Sequence, residues 1–277
     1  VHYLIIEGGG FKTAFTAGIL DAFIINRYDP FDGIVGVSGG AVALSYFLSK
    51  QYRQMLASLR YLATDPQFLN YRRTLGKEGY MNIDALGRVS QEVVPFDILK
   101  AYKKVRHRDV RIVATRRDHG TPEYFVPTPD LWIDQVIASC TLPLVTKGKH
   151  IIDGVDYFDG GWSDGLPVRW AADAGATQMT VIRTWPSHST SSQSWTDYFA
   201  SYYFKDLPGL SAAFQKNYQW YNESIDFLNA PPSHIEVTQL SPKKELKSGT
   251  YRYTKRTIMH DYRYGVDMGL RYLAGID

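Results

Sequence analysis

Residues 33–37, Gly33-Ile34-Val35-Gly36-Val37, run without a break into Ser38-Gly39-Gly40 and on into the apolar stretch Ala41-Val42-Ala43-Leu44-Ser45-Tyr46-Phe47-Leu48. The first run reads as a short buried strand and the last as a helix packed into a core. Between them, Gly36-Val37-Ser38-Gly39-Gly40 fits the G-x-S-x-G turn that lifts a serine hydroxyl out of the backbone where a strand meets a helix. Gly36, Gly39 and Gly40 suit that turn because strand and helix crowd each other there. Ser38 is thereby placed at a helix N-terminus, where unpaired N–H groups and the macrodipole favour negative charge.

The pattern alone is weak, since glycine and serine frequencies produce it by chance in roughly one chain in ten of this length. Gly161-Trp162-Ser163-Asp164-Gly165 matches it as well. No apolar strand enters that second copy directly, and Leu166-Pro167 delays any helix after it. Context therefore selects Ser38 over Ser163.

Upstream, Tyr3-Leu4-Ile5-Ile6 is an apolar strand that stops at Glu7-Gly8-Gly9-Gly10. Phe15, Gly18, Ile19, Ala22 and Phe23 then recur at helical spacing, and Asp29-Pro30 ends the helix. Strand, glycine turn, helix, strand, elbow, helix predicts a parallel sheet covered by helices, with its site beyond the strand C-termini. The glycine run and Ser38 fall on the same edge.

Residues 51–104 read as a mostly helical covering or lid region. Strands are expected at 110–114, 123–126 and 178–182, and helices at 131–140, 167–174 and 253–273. Asp153-Gly154 between alternating apolar residues predicts a tight hairpin. Its second strand delivers Asp159-Gly160-Gly161. Residues 187–194, rich in Ser and Thr, are expected to form a mobile loop, and 195–228 are crowded with Trp, Tyr and Phe, read as core or as an amphipathic lipid-facing stretch.

The 277 residues suffice for a sizeable core without staples. Thirty-one basic against 28 acidic residues give +3, too balanced to imply nucleic acid. Cys140 is the single cysteine, so no intrachain disulfide forms; Cys140 and Met55 are read as packing. No H-E-x-x-H or similar cluster implies a metal, and no cofactor is expected. No signal peptide or membrane span is visible in these residues, and a cytoplasmic protein, in at most peripheral contact with a membrane, is expected.

A serine nucleophile needs a base for its proton and donors for the oxyanion that forms on the attacked carbonyl. The N–H groups of Gly8, Gly9 and Gly10, free of side chains, can turn toward one point, joined by that of Gly39. Taken together, Glu7-Gly8-Gly9-Gly10-Phe11-Lys12-Thr13, the elbow at Ser38 and Asp159-Gly160-Gly161 resemble the three boxes of the patatin-like phospholipase family, in family order, over about residues 3–183. Thr13 stands where the family's first box usually ends in glycine. The resemblance implies a three-layer α/β/α sandwich with a mainly parallel sheet, and a single domain over 1–277 whose residues 184–277 are an aromatic-rich helical extension. It further implies a Ser38–Asp159 dyad without histidine, an oxyanion hole from the glycine box, and hydrolysis of lipid acyl esters, with Gly36, Gly40, Gly160 and Gly161 in support.

Three other readings stand beside it. A Ser-His-Asp esterase would recruit His188, His234 or His260. A lipid-binding or regulatory module would keep the fold without turnover. A dinucleotide site at Gly8-x-Gly10 lacks its third glycine, replaced by Thr13, and its acidic partner. Lys12 either meets a lipid phosphate or is an exposed lysine at a helix start.

Overall fold

Strand and helix alternate from the start. The computed structural model describes residues 1–68, 81–143, 145–146, 149–250 and 252–276. β1 (His2–Ile6), α1 (Thr13–Ile25), β2 (Gly33–Val37) and α2 (Gly39–Leu48) follow the expected order. α3 (Gln54–Leu62), α4 (Asp84–Arg88), a π-helical segment at Val89–Val93 and α5 (Ile98–Val105) occupy the covering region, of which residues 69–80 lie outside the described part. Next come β3 (Asp109–Arg116), β4 (Pro122–Phe125), α6 (Trp132–Ser139), β5 (His150–Ile152), β6 (Val155–Asp159), α7 (Gly161–Asp164), α8 (Val168–Asp173) and β7 (Gln178–Ile182). α9 (Trp195–Tyr203), α10 (Pro208–Asn229), β8 (Glu236–Leu240) and α11 (Lys255–Leu273) complete the chain.

The eight strands form one sheet in the order β5-β6-β3-β2-β1-β7-β8, with β4 paired to β3. β1, β2, β3, β7 and β8 are parallel; β4, β5 and β6 pair antiparallel. All of β1 and β2 is buried, as in strands covered on both faces. Alternate side chains enter two cores. Leu4, Ile6 and Ile34 pack with α1, α2 and α11, while Tyr3, Ile5 and Val35 pack with α8 and α10. The fold is a three-layer α/β/α sandwich.

The stretch 184–277, expected to be helical, differs in one element. β8 joins the sheet in register with β7. Only its last residue is buried, and a half-exposed edge strand carries little apolar alternation to betray it. α11, by contrast, docks on α1 as its spacing predicts. The two backbones touch: a Cβ on Gly265 would stand 1.9 Å from the Phe15 carbonyl oxygen.

The hairpin turn forms as expected, with Asp153 at φ 49° and Gly154 at φ 79°. Its register then decides where Asp159 goes. Val113 of β3 pairs with Val37 of β2 on one flank and Tyr124 of β4 on the other. The next residue, Ala114, pairs with Glu123 of β4 and with Asp159 of β6. β6 thus takes over the flank of β3 that β2 vacates. Asp159 arrives one ladder step beyond Val37, where Ser38 turns away.

Candidate active site

Ser38 has φ 55° and ψ −126°, a left-handed conformation for a residue with a Cβ, which costs about 1–3 kcal/mol and persists only where neighbours impose it. Ser139, fully buried at the end of α6, is one such neighbour. The Ser38 N–H donates to Ser139 Oγ at 2.8 Å, and the Ser139 hydroxyl donates to the Val113 carbonyl at 2.6 Å. Sequence reasoning missed this brace, because a serine at a helix end is ordinary. Ser139→Ala is expected to cost about 1–3 kcal/mol in urea unfolding, the penalty of a buried donor left unpaired, and to lower turnover by loosening the elbow.

Asp159 is held just as firmly through its backbone. Its N–H donates to the Thr141 carbonyl at 2.7 Å, and its own carbonyl accepts from Thr115 Oγ1 at 2.8 Å. Ser139 and Thr141 therefore set nucleophile and acid from a single helix end. The Asp159 carboxylate accepts the Gly161 N–H at 2.8 Å. Burial raises its pKa to about 6, against the opposing hydrogen bonds from Ser38 and Gly161.

Cys140 lies between these two braces. It touches Ser38, feels the charge of Asp159, and has its thiol pushed well up by burial. Cys140 and Met55 are both buried in the main core, the packing role expected for them, and both also line the cleft.

The glycine run passes directly over the elbow. A Cβ on Gly8 would stand 2.8 Å from Ser38 Cβ and 2.9 Å from the Val37 carbonyl oxygen. Gly9 and Gly10 take φ 142° and 57°, open to glycine and strained for other residues. Among the described residues, no acceptor takes the N–H of Gly8, Gly9, Gly10 or Gly39. Thr13 does not disturb this loop: its hydroxyl donates to the Gly10 carbonyl at 2.6 Å. Gly36 faces the Gly40 carbonyl across the elbow, Gly40 lies against Ile6, and Gly160 lies against the Val113 backbone.

Beneath the loop is a buried polar network. Glu7 accepts from the Thr184 N–H at 2.5 Å and from the Tyr221 hydroxyl of α10. Tyr221 in turn accepts from Arg183 Nη2 at 3.1 Å. Burial pushes the Glu7 carboxyl up, against the pull of Arg183. Lys12 is not exposed. Its Nζ lies 2.8 Å from the centre of the Trp185 ring, and burial lowers its pKa to about 8.

All of this opens into a cleft of about 490 Å³ whose lining includes Ser38, Asp159 and the three glycines. α3, Phe68 and α4 contribute apolar side chains, among them Leu59, Leu62 and Leu86; residues 185–197 and α10 contribute Ser191, Ser194 and Asn217. No histidine is among the described lining residues, and His260 is instead paired with Asp261 at 3.1 Å. Ser163, the second motif match, bonds Thr115 inside α7 and its surroundings.

Comparison with known proteins bears on the family of the chain. A family model described as "Patatin-like phospholipase" matches residues 4–172, and one described as "Domain of unknown function (DUF6363)" matches 207–276. The "Uncharacterized protein YjjU" of Escherichia coli (strain K12) is 29% identical over 283 aligned residues, covering 99% of this chain and 77% of that protein. Among solved structures, VipD from Legionella pneumophila aligns with a TM-score of 0.42 and 11% identity, over 99% of this chain and 67% of that one. The matched span holds the glycine run, the elbow and the Asp159 turn within one sheet, and the chain belongs to the patatin-like phospholipase family.

Proposed function

We propose that the protein is a serine hydrolase that cleaves acyl esters of lipids, of the phospholipase A, lysophospholipase or esterase type, through Ser38, Asp159 and an acyl-enzyme. The observation that carries this reading is the delivery of a buried carboxylate, with a pKa near 6, to the strained serine at the floor of an apolar cleft. An ordinary carboxylate, near ~4, is a weak base toward a hydroxyl. Burial makes this one stronger and keeps water from competing for it.

The substrate carbonyl lies against the free N–H groups of Gly8, Gly9, Gly10 and Gly39. Ser38 Oγ attacks its carbon as the hydroxyl proton passes to Asp159, and the carbonyl electron pair moves onto oxygen, where the amides stabilise it. Collapse breaks the ester C–O bond, and the leaving alcohol takes the proton from Asp159. Water then attacks the acyl-serine, giving its proton to Asp159, and the second collapse returns that proton to Ser38 and frees the fatty acid. The apolar lining from α3 and α4 takes the acyl chain.

A fluorophosphonate probe is expected to label the wild type once, at Ser38, and to leave Ser38→Ala unlabelled. Short-chain nitrophenyl ester turnover should fall to background in Ser38→Ala. Retained turnover would remove Ser38 from the mechanism.

A further inference from the structure

α9 is amphipathic in the wrong direction for a core helix. Trp195, Tyr198, Phe199, Tyr202 and Tyr203 recur at i, i+3, i+4, i+7 and i+8, one face of a helix. That face is the outer one: the five rings are 60–87% exposed, whereas Asp197, Ala200 and Ser201 are buried. The inner face is anchored, Ala200 packing with Phe158, Leu210 and Phe214. A capping box between Ser194 and Asp197 fixes the start of the helix. Five such rings expose on the order of 600 Å², more than a soluble surface normally leaves in one stripe.

We propose that this face of α9 is a docking surface for a lipid–water interface, and that it delivers substrate to the cleft. The proposal rests on the lipid acyl hydrolase reading and names how that site meets its substrate. Continuity is the first argument: Ser194, Thr196 and Asp197, at the start of α9, line the same cleft as Ser38. A surface lying on a lipid layer here puts the mouth of the cleft at that layer.

The side-chain chemistry is the second. The stripe is made of Trp, Tyr and Phe, the rings that settle at headgroup depth with an apolar body and a polar tip. Its outer face carries no carboxylate, since Asp197 points inward and is engaged by Ser194. Lys205 ends the stripe, its Nζ 5.6 Å from the Tyr202 ring centre, at the level where a headgroup phosphate would lie. Asp206 follows it, so the patch as a whole is close to neutral. Binding is therefore expected on zwitterionic phosphatidylcholine, with little dependence on salt.

The test uses the full chain and vesicles of phosphatidylcholine. Ser38→Ala protein, which leaves the vesicles intact, is expected to sediment with them, and the same protein carrying Trp195→Ser, Phe199→Ser and Tyr202→Ser is expected to need at least tenfold more lipid. In the Ser38 background, the triple variant should turn over a monomeric short-chain ester within twofold of wild type and lose activity on vesicles. Failure of the unsubstituted surface to sediment, or equal sedimentation of both proteins, would overturn the docking surface. So would a dimer in light scattering that the triple variant abolishes while vesicle binding persists, which would assign the stripe to a second copy. Sedimentation needs no turnover, so a failure of the hydrolase reading would appear separately, as ester turnover that survives Ser38→Ala.

Discussion

Asp159→Asn is expected to lower kcat/KM on a soluble ester by about 10²–10⁴, the usual range for a lost general base, while raising the melting temperature at pH 8. The two effects have one cause. Folding brings the carboxyl into a site that raises its pKa to about 6, so the folded chain holds this proton more tightly than the unfolded one. Between the unfolded value near ~4 and about 6, the folded state binds more protons, and stability falls as pH rises through that window. Above it the deficit is complete, roughly 3 kcal/mol at about 1.4 kcal/mol per pKa unit.

Asparagine carries no charge to desolvate and still offers an oxygen to the Gly161 N–H. Most of the deficit should vanish, raising the melting temperature by about 5 °C at pH 8 and hardly at all at pH 4. Thermal melts at the two pH values measure this directly. Wild-type kcat/KM should climb about tenfold per unit up to pH 6 and then level off. A variant less stable than wild type at pH 8 would show that Asp159 is not strained by its burial.

What could be read along the chain were features whose cause is local. The glycine run and the elbow declare themselves because a positive φ or a crowded junction demands particular residues within a few positions. Turn chemistry at Asp153-Gly154 announced the hairpin, but Asp159 as a partner for Ser38 came from the resemblance of Asp159-Gly160-Gly161 to a family box, and the register that carries it to the elbow shows only in the sheet. Ser139 and Thr141 were not legible. They act on Ser38 and Asp159 from a helix end about a hundred residues from the elbow, and a Ser or Thr there also occurs for no reason beyond capping. β8 was missed because only one of its residues is buried. The aromatics of α9 showed their period but not their direction. Only the burial of Asp197 and Ser201 on the opposite side reveals that the rings face out.

The network under the glycine loop leads to the second large effect. Arg183 is completely buried, its hydrogen-bond partners are neutral oxygens of Ser187, Ser189, Gln239 and Tyr221, and its Nε has no partner among the described residues. Glu7 supplies the balancing charge through Tyr221. Glu7→Gln strands the guanidinium, which cannot shed its proton, and should cost about 3–5 kcal/mol. Arg183→Met strands a carboxyl that can take up a proton, and burial already pushes Glu7 in that direction. Its cost should therefore be smaller. The double variant should be more stable than the sum of the single losses implies, with a coupling above about 1 kcal/mol in urea unfolding. Because Glu7 directly precedes Gly8, each single change should also lower kcat more than it raises KM, as expected when oxyanion donors drift rather than when a binding pocket is lost. Equal costs for the two single variants, with no coupling, would mean that Arg183 is balanced from elsewhere and that α10 holds the glycine loop by packing alone.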